Sequence, residues 1–189
     1  EQEDLFECPE VLLTAGGSAI FDLVAAQLQP QLSRPARGIL RSGCYLTHDH
    51  VQYRKMLSCV GERLKLKETL RPALEVVSSV QSCPEPGLAL LTMGKRDVSY
   101  DMDLPVPIWH AAVSDTRVNS APAHWEIKAL NDQHAYLHFN PQSPKLEHPF
   151  VGQIVGCGIS HPCTTFDKWR WMPIVNDQYA VTSGISINF

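Results

Sequence analysis

Apolar and polar positions fall into two patterns along the chain. Over residues 9–60, short apolar runs alternate with glycine turns. Val11-Leu12-Leu13-Thr14 ends in Ala15-Gly16-Gly17-Ser18. Apolar residues then recur at Ile20, Leu23, Val24 and Leu28, the spacing of one helix face, and Pro30 closes the segment. A second run, Gly38-Ile39-Leu40-Arg41, ends in Ser42-Gly43-Cys44-Tyr45. Strand, glycine turn, helix, strand, glycine turn is a βα repeat, as in a parallel sheet or barrel. His50 to Leu57 reads as another short helix.

Beyond residues 58–70 the pattern changes. Ala73 to Val80 is rich in β-branched residues and strand-like. Pro84-Glu85-Pro86-Gly87 is a turn before a strand over Leu88 to Thr92. Trp125 to Leu130, Ala135 to Phe139, Ile154 to Cys157, Ile174-Val175 and Gln178 to Val181 read as further short strands. Such strands, broken by Gly and Pro, predict an antiparallel β-barrel or sandwich. The expected organisation is α/β plus all-β. Residues 1–65 form βα units of an incomplete barrel, and residues 66–189 form a β domain.

Composition narrows the functional classes. With 189 residues, 44% of them apolar and 19% charged, the chain is ordinary globular material. No apolar run approaches the roughly 18 residues of a membrane span. A net charge of -4 without a Lys/Arg block argues against nucleic acid as the main partner. The six cysteines include no Cys-x-x-Cys, which argues for reduced thiols in a cytoplasmic protein and against a four-thiolate zinc site. The chain opens Glu1-Gln2-Glu3-Asp4 rather than with Met, and the expectation is a processed or truncated N-terminus.

Three segments carry candidate chemistry. The turns Gly16-Gly17-Ser18 and Gly43-Cys44-Tyr45 follow strands, where backbone N–H groups can approach an anion such as a phosphate. The alternative is a pair of tight turns without a ligand. Gly158-Ile159-Ser160-His161-Pro162-Cys163-Thr164 places an imidazole and a thiol two residues apart. If Pro162 keeps this link extended, both side chains point the same way and can reach one cation. Nitrogen and thiolate ligands favour zinc, and two protein ligands leave positions for water or substrate. The alternative is a buried thiol beside a hydrogen-bonded histidine. Lys95 is either a Schiff-base lysine or a salt-bridged turn residue, and Arg41 and Asp49 either bind ligand or form a local ion pair. Phe166, Trp169 and Trp171 read as core or interface.

Taken in order, Thr14 to Ser18, Arg41 to Tyr45 with Asp49, and Gly158 to Thr164 resemble the C-terminal half of D-serine dehydratases and D-threonine aldolases. These are pyridoxal-phosphate enzymes of the alanine-racemase fold type. The run His161-Pro162-Cys163-Thr164-Thr165-Phe166-Asp167-Lys168-Trp169 is similar to the amino-acid deaminase branch. The resemblance implies that Gly16, Gly17, Ser18, Gly43, Cys44 and Tyr45 cradle the cofactor phosphate. It implies that His161 and Cys163 bind zinc and act through it. Aldolases of the family tend to carry Asp at the second metal position, so Cys163 favours elimination. The implied reaction converts a D-serine-like substrate to a keto acid and ammonia, with zinc stabilising charge on the leaving hydroxyl. The family's Schiff-base lysine lies on the first barrel strand, upstream of this chain, so the chain alone is expected to be inactive and to expose apolar barrel surface. A homodimer is the expected assembly, with no membrane or nucleic-acid partner. D-threonine aldol cleavage and a non-catalytic zinc-containing β domain are the other readings.

Overall fold

The structure is a computed structural model and describes residues 7–29, 31–115 and 117–188. Pro30, the expected helix stop, and the Cys44 side chain lie outside the described residues. The N-terminal part opens with β1 (Val11–Ala15) and β2 (Ala36–Leu40), which pair in parallel from Val11↔Ala36 to Ala15↔Leu40. Between them runs α1 (Phe21–Gln27). This is the expected βα repeat, and its register sets the two glycine turns side by side beyond the C-terminal ends of both strands. Gly16 shows how close they lie, because a Cβ there falls 2.8 Å from the Arg41 carbonyl oxygen. Parallel strands are usually covered on both faces. Here Leu12 and Ile39 are exposed.

Helix α2 (Gln52–Leu64) extends beyond the stretch the sequence suggests. Tyr53, Leu57 and Val60 are its buried residues, spaced for a single face. Asp49 starts it, accepting the Val51 N–H at 2.9 Å and the Tyr53 N–H at 2.9 and 3.0 Å. Asp49 therefore caps the helix rather than pairing with Arg41. Arg41 instead donates to Thr14 Oγ1, tying the end of β2 to the end of β1. Lys65, at φ 52, ends α2 in a left-handed conformation. Arg63 clamps α1 by donating to both oxygens of Asp22 at 2.8 Å.

The rest is dominated by one antiparallel sheet. Its strands are β3 (Glu75–Glu85), β4 (Leu88–Leu91), β5 (Val106–Ala111), β6 (Asn119–Ser120), β7 (Glu126–Leu130), β8 (Ala135–His138) and β9 (Ile154–Gly158). They pair in the order β6-β5-β9-β3-β4-β8-β7. The first half of β3 pairs with β9 and the second half with β4. Register shifts after Val80 and Ser82 bend β3 between these partners. The sheet curls into a half-barrel, and β5 and β7 approach each other across it. Val76, Ser78 and Val80 alternate inward on β3. They meet Leu91, Ile127, Leu137, Val155 and Ile159 in or beside the core. A separate hairpin, β10 (Trp171–Val175) with β11 (Val181–Ser186), ends the described chain.

The sequence pattern does not reveal β5. Val106-Pro107-Ile108-Trp109-His110-Ala111 contains a proline and a histidine and reads as mixed. It forms a strand because Pro107, Trp109 and Ala111 are buried on one face while Val106, Ile108 and His110 are less covered. Trp109 lies over Gly156, where a Cβ falls 2.0 Å from the indole.

Candidate functional site

Strand β9 delivers the chain into the His161 turn. Gly158 ends the strand, Ile159 and Ser160 are fully buried, and His161 has extended backbone at φ -149, ψ 105. Pro162 then opens a short helix, α3 (Pro162–Phe166). The expectation of a continuously extended His161-Pro162-Cys163 link is corrected here. Proline restricts only the residue before it, and its own fixed φ suits the first helical position. His161 therefore stays extended while Cys163 lies on the first turn of a helix, so the two-residue alternation of a strand does not apply to this pair. Cys163 is an exposed free thiol.

Hydroxyl groups lock the turn in place. Ser99 Oγ accepts the His161 N–H at 3.1 Å and lies 3.3 Å from Ser160 Oγ. Ser160 Oγ donates to the Asp103 carbonyl at 2.6 Å. Thr165 Oγ1 donates to the His161 carbonyl at 3.0 Å and accepts the Ser99 N–H at 3.2 Å. Ser99, Ser160 and Thr165 are buried, so these bonds form where unpaired groups would be costly.

Asp101 faces the turn from the same segment. Its Oδ2 lies 2.6 Å from His161 Nδ1, and its Oδ1 accepts from Thr164 Oγ1 at 2.8 Å. Desolvation raises the carboxyl pKa, but the bonds from His161 and Thr164 outweigh it and leave the group below the usual aspartate value. Nothing in the sequence pattern marks Asp101, which lies outside every predicted element. The bond at Nδ1 leaves Nε2 as the ring atom able to ligate a metal, and Cys163 adds a sulfur donor. Among the described residues, no group of three or more His, Cys, Asp or Glu side chains is arranged around one metal position.

The glycine turns present a second set of features. Gly17 has φ 148, and a side chain there would also press on Ile20 at 3.0 Å. A Cβ at Gly43 would meet nothing within 4 Å, so that face of the turn is open. Ser42 Oγ and Tyr45 OH are buried without a well-formed hydrogen bond, as are His48 Nε2 and His50 Nδ1. Burial raises the Tyr45 phenol pKa, and the nearby Ser42 hydroxyl offsets only part of that rise. Phe21 packs edge-on against the Tyr45 ring at 4.9 Å. Helix α1, which follows the first glycine turn, is seven residues long and starts without a side-chain cap.

The segment after Tyr45 joins the two regions. His50 N–H donates to the Ile159 carbonyl at 3.0 Å, and Gln52 Nε2 donates to Asp103 Oδ2. Lys55 Nζ reaches the same Asp103 oxygen at 3.6 Å. Residues expected elsewhere play other parts. Lys95 Nζ lies 5.4 Å from the centre of the Tyr100 ring, a cation–π contact, while Arg96 makes the ion pair with Asp132. Phe166 packs against the core, and Trp169 and Trp171 line an apolar cavity beside α3 with Val76 and Met172.

Solved structures share this fold. The D-threonine aldolase from Filomicrobium marinum matches with TM-score 0.67 and 18% identity, over 98% of this chain and 43% of that one. The D-threo-3-hydroxyaspartate dehydratase from Delftia sp. HT23 matches with TM-score 0.61 and 17% identity, over 98% of this chain and 46% of that one. A cysteine-to-alanine variant of that dehydratase, in the metal-free form, matches with TM-score 0.60 and 16% identity, over 98% and 46%. The present chain thus spans less than half the length of these proteins. A comparison with curated proteins finds no match. The family model described as "Putative serine dehydratase domain" matches residues 73–175, from just before β3 to the end of β10 and including the His161 turn. That segment is more than half of the chain, and the chain belongs to the serine dehydratase domain family.

Proposed function

We propose that this chain is part of a pyridoxal-phosphate- and zinc-dependent dehydratase that converts a D-serine-like β-hydroxy D-amino acid to a keto acid and ammonia. The observation that carries the reading is the His161–Cys163 turn, held by Asp101 at the end of β9 within the matched family domain. The related dehydratase supports it, being known with alanine variants of a histidine and of a cysteine two positions apart, the latter metal-free. His161 and Cys163 have the same spacing.

The residues present fit both groups. Ser42 Oγ and Tyr45 OH are buried hydroxyls without well-formed partners, and Gly43 leaves open space beside them. Donors of this kind, with the N–H groups of Gly16, Gly17 and Ser18, suit a phosphate. Cys44 belongs to the same proposed cradle through its position in the turn. Bound pyridoxal phosphate supplies an electron sink for a carbanion at Cα. The His161 imidazole and Cys163 thiolate suit zinc, a Lewis acid for the charge on a leaving hydroxyl. The chain's own work is to hold these groups. Ser99 and Thr165 fix the backbone of the His161 turn, and the 48–52 segment ties that turn to the glycine turns.

In the same proposal, β1 and β2 are strands of a βα barrel, residues 1–65 belong to that barrel, and the full-length enzyme is a cytoplasmic homodimer. The exposed apolar positions on the parallel pair support the barrel. Among the described residues no helix is long and apolar enough to cross a membrane. D-threonine aldol cleavage is the second reading, since a D-threonine aldolase shares the same fold.

Product analysis on the full-length protein separates the readings. D-serine is expected to give pyruvate, and a chelator is expected to abolish it until zinc is restored. Glycine and acetaldehyde from D-threonine, without pyruvate from D-serine, would establish the aldolase. Tight zinc with no turnover of either substrate would establish a non-catalytic domain.

A further inference from the structure

We infer that Asp101 is the positioning residue of the proposed metal site, orienting the His161 ring and the helix turn that carries Cys163 with a single carboxylate. The inference rests on the zinc reading of His161 and Cys163. Asp101 Oδ2 takes His161 Nδ1 at 2.6 Å, and Oδ1 takes Thr164 Oγ1 at 2.8 Å. These two partners sit on either side of Pro162-Cys163. The carboxylate therefore bridges the ends of the short segment that presents both proposed ligands.

The chemistry gives the bridge a definite consequence. An ionised carboxylate only accepts hydrogen bonds, so Nδ1 carries the proton. The lone pair of the neutral ring is then on Nε2, on the far side of the ring from the carboxylate. Metal-ligating histidines are commonly oriented by this kind of outer partner. Asp101 is itself held from behind. Ser99 and Asp103, two residues to either side, hydrogen-bond the turn through Ser160, His161 and Thr165. The 99–103 segment is a clamp, and Asp101 is the charged member aimed at the imidazole.

An ordinary surface ion pair makes a different prediction. The His161 and Asp101 side chains are 29% and 41% exposed, and a pair that accessible adds little to folding. On that account, replacing Asp101 leaves metal affinity untouched.

The test is zinc affinity of the full-length protein, measured by competition with a chromophoric chelator, with thermal melting of the metal-free protein alongside. Asp101→Asn is expected to weaken zinc binding about 10- to 100-fold with the metal-free melting temperature nearly unchanged. Asp101→Glu is expected to recover part of that loss. In the cobalt-substituted protein, Asp101→Asn should shift the visible bands while retaining the thiolate-to-metal charge-transfer band from Cys163. Zinc affinity in Asp101→Asn equal to the parent, with His161→Ala and Cys163→Ala both impaired, would overturn the positioning role alone. Loss as complete as in His161→Ala, with a changed cobalt coordination number, would make Asp101 a ligand and also overturn it. Parent protein that binds no zinc, or binds it unchanged without His161 and Cys163, would overturn the metal reading underneath.

Discussion

His50 and Gly158 meet with no room for a side chain between them. A Cβ at Gly158 falls 2.2 Å from Cγ of the imidazole and 2.6 Å from Nδ1. The neighbouring bond from His50 N–H to the Ile159 carbonyl, 3.0 Å long, holds the contact in register. Glycine is required here for packing rather than for backbone freedom, and the contact fastens the βα segment to the strand that leads into the His161 turn.

Gly158→Ala must therefore displace either the ring or β9. Overpacking of this kind costs about 1–3 kcal/mol. Denaturant unfolding should show that loss in the otherwise unchanged chain. His50→Ala removes the obstacle, so the double variant should lose clearly less than the sum of the two single losses. Additive losses would mean that the imidazole is not what excludes the side chain.

The same burial makes His50 sensitive to acid. Desolvation first, then the charges of His48 and Arg54, lowers its pKa from 6.5 to about 4. Between these values the unfolded chain binds a proton that the folded chain refuses. The contribution of His50 is thus fully present above pH 6.5 and is lost as pH falls towards 4. The loss is on the order of 1–2 kcal/mol after allowing for the exposed part of the ring. Melting temperatures of the parent and of His50→Gln across this range check it. The parent curve should fall more steeply towards acid, and parallel curves would remove His50 as the source.

Much of the fold is legible in local pattern. The β3–β4 hairpin, the β7–β8 hairpin and β9 follow from short apolar or β-branched runs, with the two hairpins turning at Pro86-Gly87 and Asn131-Asp132. The βα repeat follows from two apolar runs with glycine ends. What escapes local reading depends on partners distant in sequence. Strand β5 is made by Gly156 leaving space for Trp109, and that match is not visible in residues 106–111. Residue type and spacing pick out His161 and Cys163 as the proposed metal pair, but not their geometry, because proline both restrains His161 and starts α3. Asp101 meets His161 across 60 residues of sequence, and no spacing rule reaches that far. Asp49 stands out in sequence for its charge, and only the bonds from the Val51 and Tyr53 N–H groups identify it as a helix cap.

Glu75 gathers two donors from distant parts of the chain, Trp109 Nε1 at 2.7 Å and Tyr179 OH at 3.2 Å. The two donor rings also pack on each other, with the centres of Trp109 and Tyr179 4.7 Å apart. Burial first, then the Glu75 charge, pushes the Tyr179 phenol from 10.0 up to about 12. The folded chain keeps this proton where the unfolded chain has lost it. Its stabilising contribution is complete below pH 10 and disappears as pH rises through about 12. Absorbance titration at alkaline pH should show Tyr179, with Tyr45, among the late tyrosines of the parent, and Glu75→Gln should bring the Tyr179 step down towards 10.0. An unmoved late step in Glu75→Gln would exclude the carboxylate as a cause.

Tyr45 separates the cofactor proposal from a purely structural turn. Its hydroxyl is buried with no well-formed hydrogen bond, a position that stabilises little in the chain as it stands. In the cofactor-free protein Tyr45→Phe should keep the 4.9 Å packing against Phe21 and should leave stability unchanged or raise it by up to about 1 kcal/mol. In the full-length protein the same change should weaken pyridoxal-phosphate binding by on the order of 10-fold, the loss of one hydrogen bond to a charged group. Melting without cofactor and equilibrium titration with it measure the two effects separately. Only a hydroxyl reserved for a ligand gives opposite signs in the two experiments. A variant that binds the cofactor as tightly as the parent would remove Tyr45 from the cradle and leave Ser42, Gly43 and the first glycine turn to account for the phosphate.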